Sequence, residues 1–209
     1  MKKIVLLLLF ILSVPTLAQN EERWDKTGVY SNFEWGFSWV LPKEITWEKS
    51  SGIERHTVFR AYNPDTQLTV FVNINPPGGS VKLNENALWD NFEAIEKQLS
   101  KVENSLPSSE GGRIIESHSK KVMFAGKKAI KRTYTTRYDN DERYKNESFD
   151  VYAVTYSFIY KNASWSVSFK LYKEFLEYAG EGVIDEVFRG FSFIVSDSDS
   201  RALQSIRAK

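Results

Sequence analysis

The chain has 209 residues with no cysteine, and its 28 basic and 27 acidic side chains give a formal net charge of +1. Because cysteine is absent, a disulfide framework and a cysteine nucleophile are excluded, and the core alone must stabilise the fold. The balanced charge lacks the basic excess that drives binding to a nucleic-acid backbone, so we expect no nucleic-acid partner.

Residues 1–18 have the order of a secretion signal. Lys2 and Lys3 precede an unbroken apolar run over Ile4–Leu12, and small residues lead to a cleavage site between Ala18 and Gln19. A membrane span needs about 20 apolar residues, so this run is too short, although an uncleaved anchor is the alternative interpretation. We expect an exported protein, periplasmic or extracellular, with no transmembrane span after cleavage.

The first part of the exported chain predicts a lead-in and a strand. Residues 19–30 are polar and predict an exposed lead-in. From Phe33 to Leu41, large apolar residues recur at every second position, which is typical of a strand with one face on a core. Pro42 ends the pattern because proline cannot donate to a sheet ladder.

A hairpin and a helix are predicted next. Alternation over Thr57–Tyr62 and Leu68–Ile74, around a turn at residues 63–65, indicates the hairpin. Beyond a break at residues 76–80, apolar residues recur at spacings of four and three, as on one face of a helix. These residues are Leu88, Phe92, Ile95, Leu99 and Val102. Asn84 is the predicted N-cap.

The second half predicts two more hairpins around tight turns at residues 125–127 and 161–162. Their strands are Arg113–Phe124 with Lys128–Tyr138, and Phe149–Tyr160 with Ala163–Tyr172. Phe149–Tyr160 carries apolar residues on both faces, which is typical of a central strand covered on both sides. A helix through residues 175–188, weakened by Gly180 and Gly182, and a short strand over 191–195 follow.

Runs of strands separated by single helices favour an α+β fold, with a mostly antiparallel β-sheet packed by two principal helices. A chain of this length has one domain by default. We place that domain at residues 31–195 and a polar C-terminal tail at 196–209.

Three stretches of the chain resemble PsbP-like proteins. They are Trp35-Gly36-Phe37-Ser38 with Leu41-Pro42 and Trp47, then Val122–Tyr134, then Phe188–Phe193. The group includes the photosystem subunit PsbP, the Ran-binding Mog proteins and several bacterial envelope proteins. The resemblance implies an antiparallel sheet between helices and an exported bacterial member that binds a partner without catalysis. It carries over no site residue.

The sequence contains no recognisable catalytic or metal-binding motif. The serine-nucleophile elbow, the phosphate loop and the dinucleotide fingerprint are absent. His56 and His118 lie in predicted strands without a partner at metal-ligand spacing. The acidic run Asp139–Glu142 lacks the glycine that a calcium loop needs at its sixth position, so we interpret it as a solvated hairpin tip. We predict no catalytic residue, metal ligand or cofactor.

Three functional hypotheses remain. We favour a non-catalytic accessory or adaptor protein of the bacterial envelope that holds a protein partner. The second is a binder of a small ligand, sugar or metal, which tyrosines exposed on one face would favour. The candidate tyrosines are Tyr134, Tyr138, Tyr144, Tyr152 and Tyr156. The third is a hydrolase, which would need two titratable groups within hydrogen-bond reach in a cleft.

Overall fold

A computed structural model describes residues 22–24, 28–50, 56–103, 112–141, 147–180 and 182–194. The strands are β1 (Glu22–Trp24), β2 (Val29–Asn32), β3 (Phe37–Val40), β4 (Glu48–Lys49), β5 (Thr57–Tyr62), β6 (Thr69–Asn75), β7 (Gly112–Phe124), β8 (Lys127–Asp141), β9 (Glu147–Tyr160), β10 (Ala163–Tyr172) and β11 (Phe191–Phe193). The helices are α1 (Ala87–Asp90), α2 (Phe92–Glu103), α3 (Lys173–Ala179) and α4 (Gly182–Arg189). The predicted tail at 196–209 and the signal at 1–18 lie outside the described residues.

The described strands form two sheets in which every pair is antiparallel. The smaller sheet has the order β1-β2-β3-β11, and the larger has the order β4-β5-β6-β10-β9-β8-β7. With few helices beside them, this architecture confirms the predicted α+β class. The predicted central strand is β9, which has β10 and β8 as neighbours and buried residues on both faces, Val154 and Ala153 among them.

The core lies between the two sheets and is built from aromatic side chains. Tyr30 of the small sheet stacks on Phe59 of the large one with ring centroids 4.0 Å apart, and its hydroxyl donates to the Val58 carbonyl at 3.0 Å. Trp39 donates from Nε1 to the Val187 carbonyl of α4 at 2.8 Å. Since a buried indole N–H costs free energy when it has no acceptor, this bond fixes α4 beside the small sheet.

The single strand predicted over Phe33–Leu41 is wrong in its first half. Residues 33–36 form the turn between β2 and β3, and only the alternation from Phe37 onward lies in a strand. Asn32 closes the turn, because its side-chain oxygen accepts from the Trp35 amide and its carbonyl accepts from the Gly36 amide, both at 2.9 Å. Gly36 has φ +69, a conformation that glycine adopts without strain.

The lead-in predicted for residues 19–30 is also corrected. It contains β1 and the start of β2, and Tyr30 is fully buried. The sequence pattern did not predict β2, because this strand is short, contributes few apolar side chains and has polar residues around Tyr30. The last strand, predicted over 191–195, is described as Phe191–Phe193.

Both predicted helices are broken in two. The first is interrupted at Asn91, between α1 and α2, and begins at Ala87. Asn84 is not its N-cap: the Asn84 side chain accepts from the Asn86 amide at 2.9 Å and forms the turn before the helix. The second is interrupted at Gly180, which has φ +71 and therefore ends α3.

The helices cover different faces of the large sheet. Its inner face packs against the small sheet, and its outer face is the opposite one. On the outer face, Trp89 of α1 donates from Nε1 to the Ala129 carbonyl of β8 at 2.9 Å, and Phe92 of α2 lies under the Lys121 ammonium of β7. On the inner face, Ile184, Val187 and Phe188 of α4 are buried. The sheet is thus packed on both sides, as in the predicted layout.

We predict that Gly190→Ala strongly destabilises the fold. A Cβ at position 190 would collide with the Val40 carbonyl, and the same two residues are joined by a hydrogen bond from the Val40 amide at 2.9 Å. Because backbone cannot move aside as a side chain can, the free energy of unfolding in urea should fall by more than about 2 kcal/mol.

Gly182→Ala is the matched control, since nothing lies within 4 Å of a Cβ at that helical position. Its free energy of unfolding should be unchanged or higher by up to about 1 kcal/mol. Equal stability of the two alanine variants would contradict the close approach of residues 40 and 190.

Candidate binding cleft

The inner face of the large sheet is not covered evenly. The small sheet and α4 pack over its β5-β6-β10-β9 part, whereas β7 and β8 extend past α4. Between α4 and these two strands lies an open cleft of about 310 Å³. Its lining residues are His118, Ser119 and Lys120 of β7, Lys131 and Thr133 of β8, Tyr152 and Val154 of β9, and Ile184 and Asp185 of α4.

Two lysines lie side by side on the sheet wall of the cleft. Lys120 and Lys131 are direct partners in the β7–β8 register, so their side chains leave the sheet side by side on the same face. Like charges at directly opposite positions of an antiparallel pair destabilise it. The Lys131 ammonium lies 5.6 Å from the ring centroid of Tyr156, and the electrostatic attraction of the ring face offsets part of the repulsion between the two lysines. This pair attracts an anionic group.

Asp185 of α4 lines the cleft, and the buried Tyr156 ring lies beside the cleft residue Lys131. The Tyr156 ring stacks on Phe124 at 4.2 Å and meets Phe188 edge-on at 4.7 Å. Burial, and secondly the charge of Asp185, raise the pKa of Tyr156 to about 12.

The sequence analysis did not single out Lys120, Lys131 or Asp185. The pairing of the two lysines could have been found, because each lies equally far along its strand from the two-residue turn at 125–126. The position of Asp185 could not, since it depends on how α4 packs across the sheet.

The two histidines lie apart from each other. His56 precedes β5 and is exposed. His118 lines the cleft, and its Nε2 lies 3.4 Å from Glu116 Oε1 on the same strand. Both side chains are more than half exposed.

The tyrosines named from the sequence do not share one face. Tyr152 and Tyr156 point to the inner face, whereas Tyr134 and Tyr138 lie on the outer face of β8. Tyr134 lies beside the Arg132 guanidinium and Tyr138 stacks on Phe149 at 5.0 Å. Tyr144 lies outside the described residues. The side-chain alternation of a strand separates residues that sequence spacing alone groups together.

A second cleft, of about 480 Å³, lies where the far ends of β8 and β9 meet α3. Arg137 binds Asp150 through two hydrogen bonds, of 2.8 and 2.9 Å, across the β8–β9 pair. The Arg137 hydrogen bonds hold the pKa of Asp150 below its usual value. Asp139, from the acidic run, contacts Arg113 at 3.4 Å and belongs to β8. Glu142 lies outside the described residues.

Neither a metal cluster nor a membrane-spanning helix occurs among the described residues. No group of three or more histidines and carboxylates there could hold a metal ion. No helix within the same ranges is long and apolar enough to cross a membrane.

Comparisons with known proteins concern the fold. No protein-family model matches the sequence, and no curated protein sequence matches it. The solution structure of cyanobacterial PsbP (CyanoP) from Synechocystis sp. PCC 6803 is similar over 79% of this chain and 91% of that chain, with 11% identity and a TM-score of 0.42.

Two further solved structures are similar. The crystal structure of LpqN, involved in cell envelope biogenesis of Mycobacterium tuberculosis, matches 76% of this chain and 83% of its own, with 9% identity and a TM-score of 0.43. A crystal structure from Bacteroides thetaiotaomicron VPI-5482 matches 81% of this chain and 49% of its own, with 14% identity and a TM-score of 0.41. A shared fold assigns no function, and a Mog-type relationship stays a prediction.

We predict that Tyr156 makes stability fall at high pH. Because its folded-state pKa is raised, to about 12, its contribution is complete below the ordinary value of 10.0 and is lost as pH rises through the folded value. Urea unfolding of the Tyr156→Phe variant should therefore show a smaller loss of stability over that pH window than the unmodified chain. Identical pH dependence of the two proteins would contradict the buried position of the hydroxyl.

We predict the opposite pH dependence for Asp150. Because its folded-state pKa is depressed, its contribution is present above the ordinary pKa and is lost as pH falls through the folded value. Asp150→Asn should lower the free energy of unfolding by about 1 kcal/mol at neutral pH, a small value because the Arg137 side chain is partly exposed. The difference between the two proteins should shrink toward zero in acid. A constant difference would instead indicate a packing effect.

Proposed function

We propose that this chain is an exported, non-catalytic accessory protein of the bacterial envelope that holds a protein partner at the cleft between α4 and strands β7 and β8. The observation that carries the proposal is the opposed pair Lys120 and Lys131 on a sheet face that α4 leaves open. A protein that only needed to fold would gain stability by replacing one of these lysines.

The surroundings of the lysine pair favour a polar, anionic partner. Thr133 provides a hydrogen-bonding hydroxyl beside the two lysines, and Ile184 provides an apolar side chain. Asp185 also lines the cleft, so a partner must place its carboxylates at the lysines and away from this aspartate. Charge complementarity of this kind sets the orientation and the association rate of a complex.

Strand β7 supports a protein partner in particular. It has 13 residues and lies at one end of the strand order in the described large sheet, and a strand in that position is the kind to which a peptide adds by backbone pairing. The cleft opens beside this edge. An acidic segment of a partner could therefore contact the lysine pair and the edge of the sheet together.

A small anionic ligand is the second candidate. The cleft volume, about 310 Å³, is at the lower end of the range of known ligand pockets. A carboxylate or phosphate of a small molecule would satisfy the same two lysines. A protein partner and a small anionic ligand differ in size, so one experiment can distinguish the two candidates.

The test is in-cell cross-linking and tagged purification of the exported chain, followed by mass spectrometry. A protein partner recovered with the unmodified chain should be recovered at least about 10-fold less with the Lys120→Gln/Lys131→Gln variant, because two interface charges are lost. The partner, once purified, should bind less tightly as salt is raised.

The matched control is Lys43→Gln/Lys97→Gln, which removes the same charge from exposed positions away from the cleft. This control should recover the partner normally. Equal recovery with both variants would show that the cleft is not the binding site. If the chain is recovered alone and small anions raise its melting temperature only when both cleft lysines are present, the small-ligand candidate is correct.

A further inference from the structure

Four chain connections meet at one end of the molecule, which we call the turn end. They are the β2–β3 turn at residues 33–36, the loop 76–86, the β7–β8 turn at 125–126 and the β9–β10 turn at 161–162. The registers of β6 with β10 and of β8 with β9 place the last three together. Lys161 contacts the Trp35 carbonyl at 3.4 Å and so joins the first connection to the fourth.

The turn end is held in a defined shape. The Asn162 side chain accepts from the Leu83 amide at 2.7 Å and donates to the Val81 carbonyl at 3.2 Å, which fixes the loop 76–86 against the β9–β10 turn. The Lys127 ammonium lies 3.9 Å from the ring centroid of Tyr160, between the β7–β8 and β9–β10 turns. A surface fixed in this way can present its side chains together.

The turn end is both apolar and basic. Among the described residues, three large apolar side chains are exposed, and two of them lie here: Val81, 56% exposed, and Met123, 61% exposed. Four lysines lie in these connections or within two residues of them, against two acidic residues in the same segments. The lysines are Lys82, Lys127, Lys128 and Lys161, and the acidic residues are Glu34 and Glu85.

We propose that the turn end docks on an anionic lipid surface. Exposed apolar side chains next to long lysine stems fit the boundary between headgroups and acyl chains, where the apolar groups enter and the ammonium groups bind phosphates. The exported chain as a whole, without the two signal lysines, carries 26 basic and 27 acidic residues and a net charge of −1. Attraction to an anionic surface must therefore come from a local patch.

Vesicle co-sedimentation of the exported chain tests the proposal. We expect binding to vesicles of phosphatidylglycerol mixed with phosphatidylcholine, and none to phosphatidylcholine alone. The triple variant Lys82→Gln/Lys128→Gln/Lys161→Gln should weaken binding about 100-fold, since one lysine near a lipid surface contributes about 5-fold. Met123→Ser should weaken it without changing its dependence on salt.

The control Lys43→Gln/Lys97→Gln/Lys101→Gln removes three exposed lysines elsewhere and should bind vesicles as the unmodified chain does. Absence of binding to anionic vesicles at low salt, or equal loss in the two triple variants, would overturn the proposal. The proposal would also be overturned if the unmodified chain bound no vesicles and the turn-end triple variant lost a protein partner. That result would assign this surface to a protein. The cleft variant Lys120→Gln/Lys131→Gln should still bind vesicles, so the lipid and partner proposals fail separately.

Discussion

The contact between Trp39 and α4 holds the small sheet, the large sheet and the last helix together. The Trp39 indole donates to the Val187 carbonyl at 2.8 Å, stacks over Phe188 and meets Phe191 edge-on at 5.6 Å. Removal of a buried tryptophan from such a position costs about 3–5 kcal/mol. Because this contact fixes α4 at one place on the inner face, it also decides which part of that face stays open.

The unequal widths of the two sheets explain the cleft. Four described strands and one helix cannot cover the inner face of seven described strands, so β7 and the neighbouring part of β8 extend beyond the cover. The residues there are polar or charged on the side that α4 leaves open, in contrast to the apolar residues of β10. Because no element packs on that part of the described sheet, its side chains need not be apolar, and Lys120 and Lys131 can occupy opposite positions of the β7–β8 pair.

The cleft and the turn end use lysine in different ways. In the cleft, two ammonium groups converge on one small volume, which suits a single carboxylate or phosphate. At the turn end, lysines surround two exposed apolar side chains, Val81 and Met123, which suits an extended anionic surface. The two surfaces lie on different parts of the fold, so the proposed partner and the proposed membrane contact are compatible with each other.

The sequence by itself determined the α+β class and the apolar faces of the main strands. It also determined the three hairpins, with strands near 57–74, 113–138 and 149–172. These features depend on side-chain periodicity and on turn residues that are close together along the chain. It failed at Phe33–Gly36, where an apolar alternation continues through a turn that Asn32 closes. Only the tertiary structure decided that Tyr30 is a core residue, that Tyr134 and Tyr152 lie on opposite faces, and that Asp185 borders a cleft. These depend on which elements pack together, and such contacts join residues far apart in sequence.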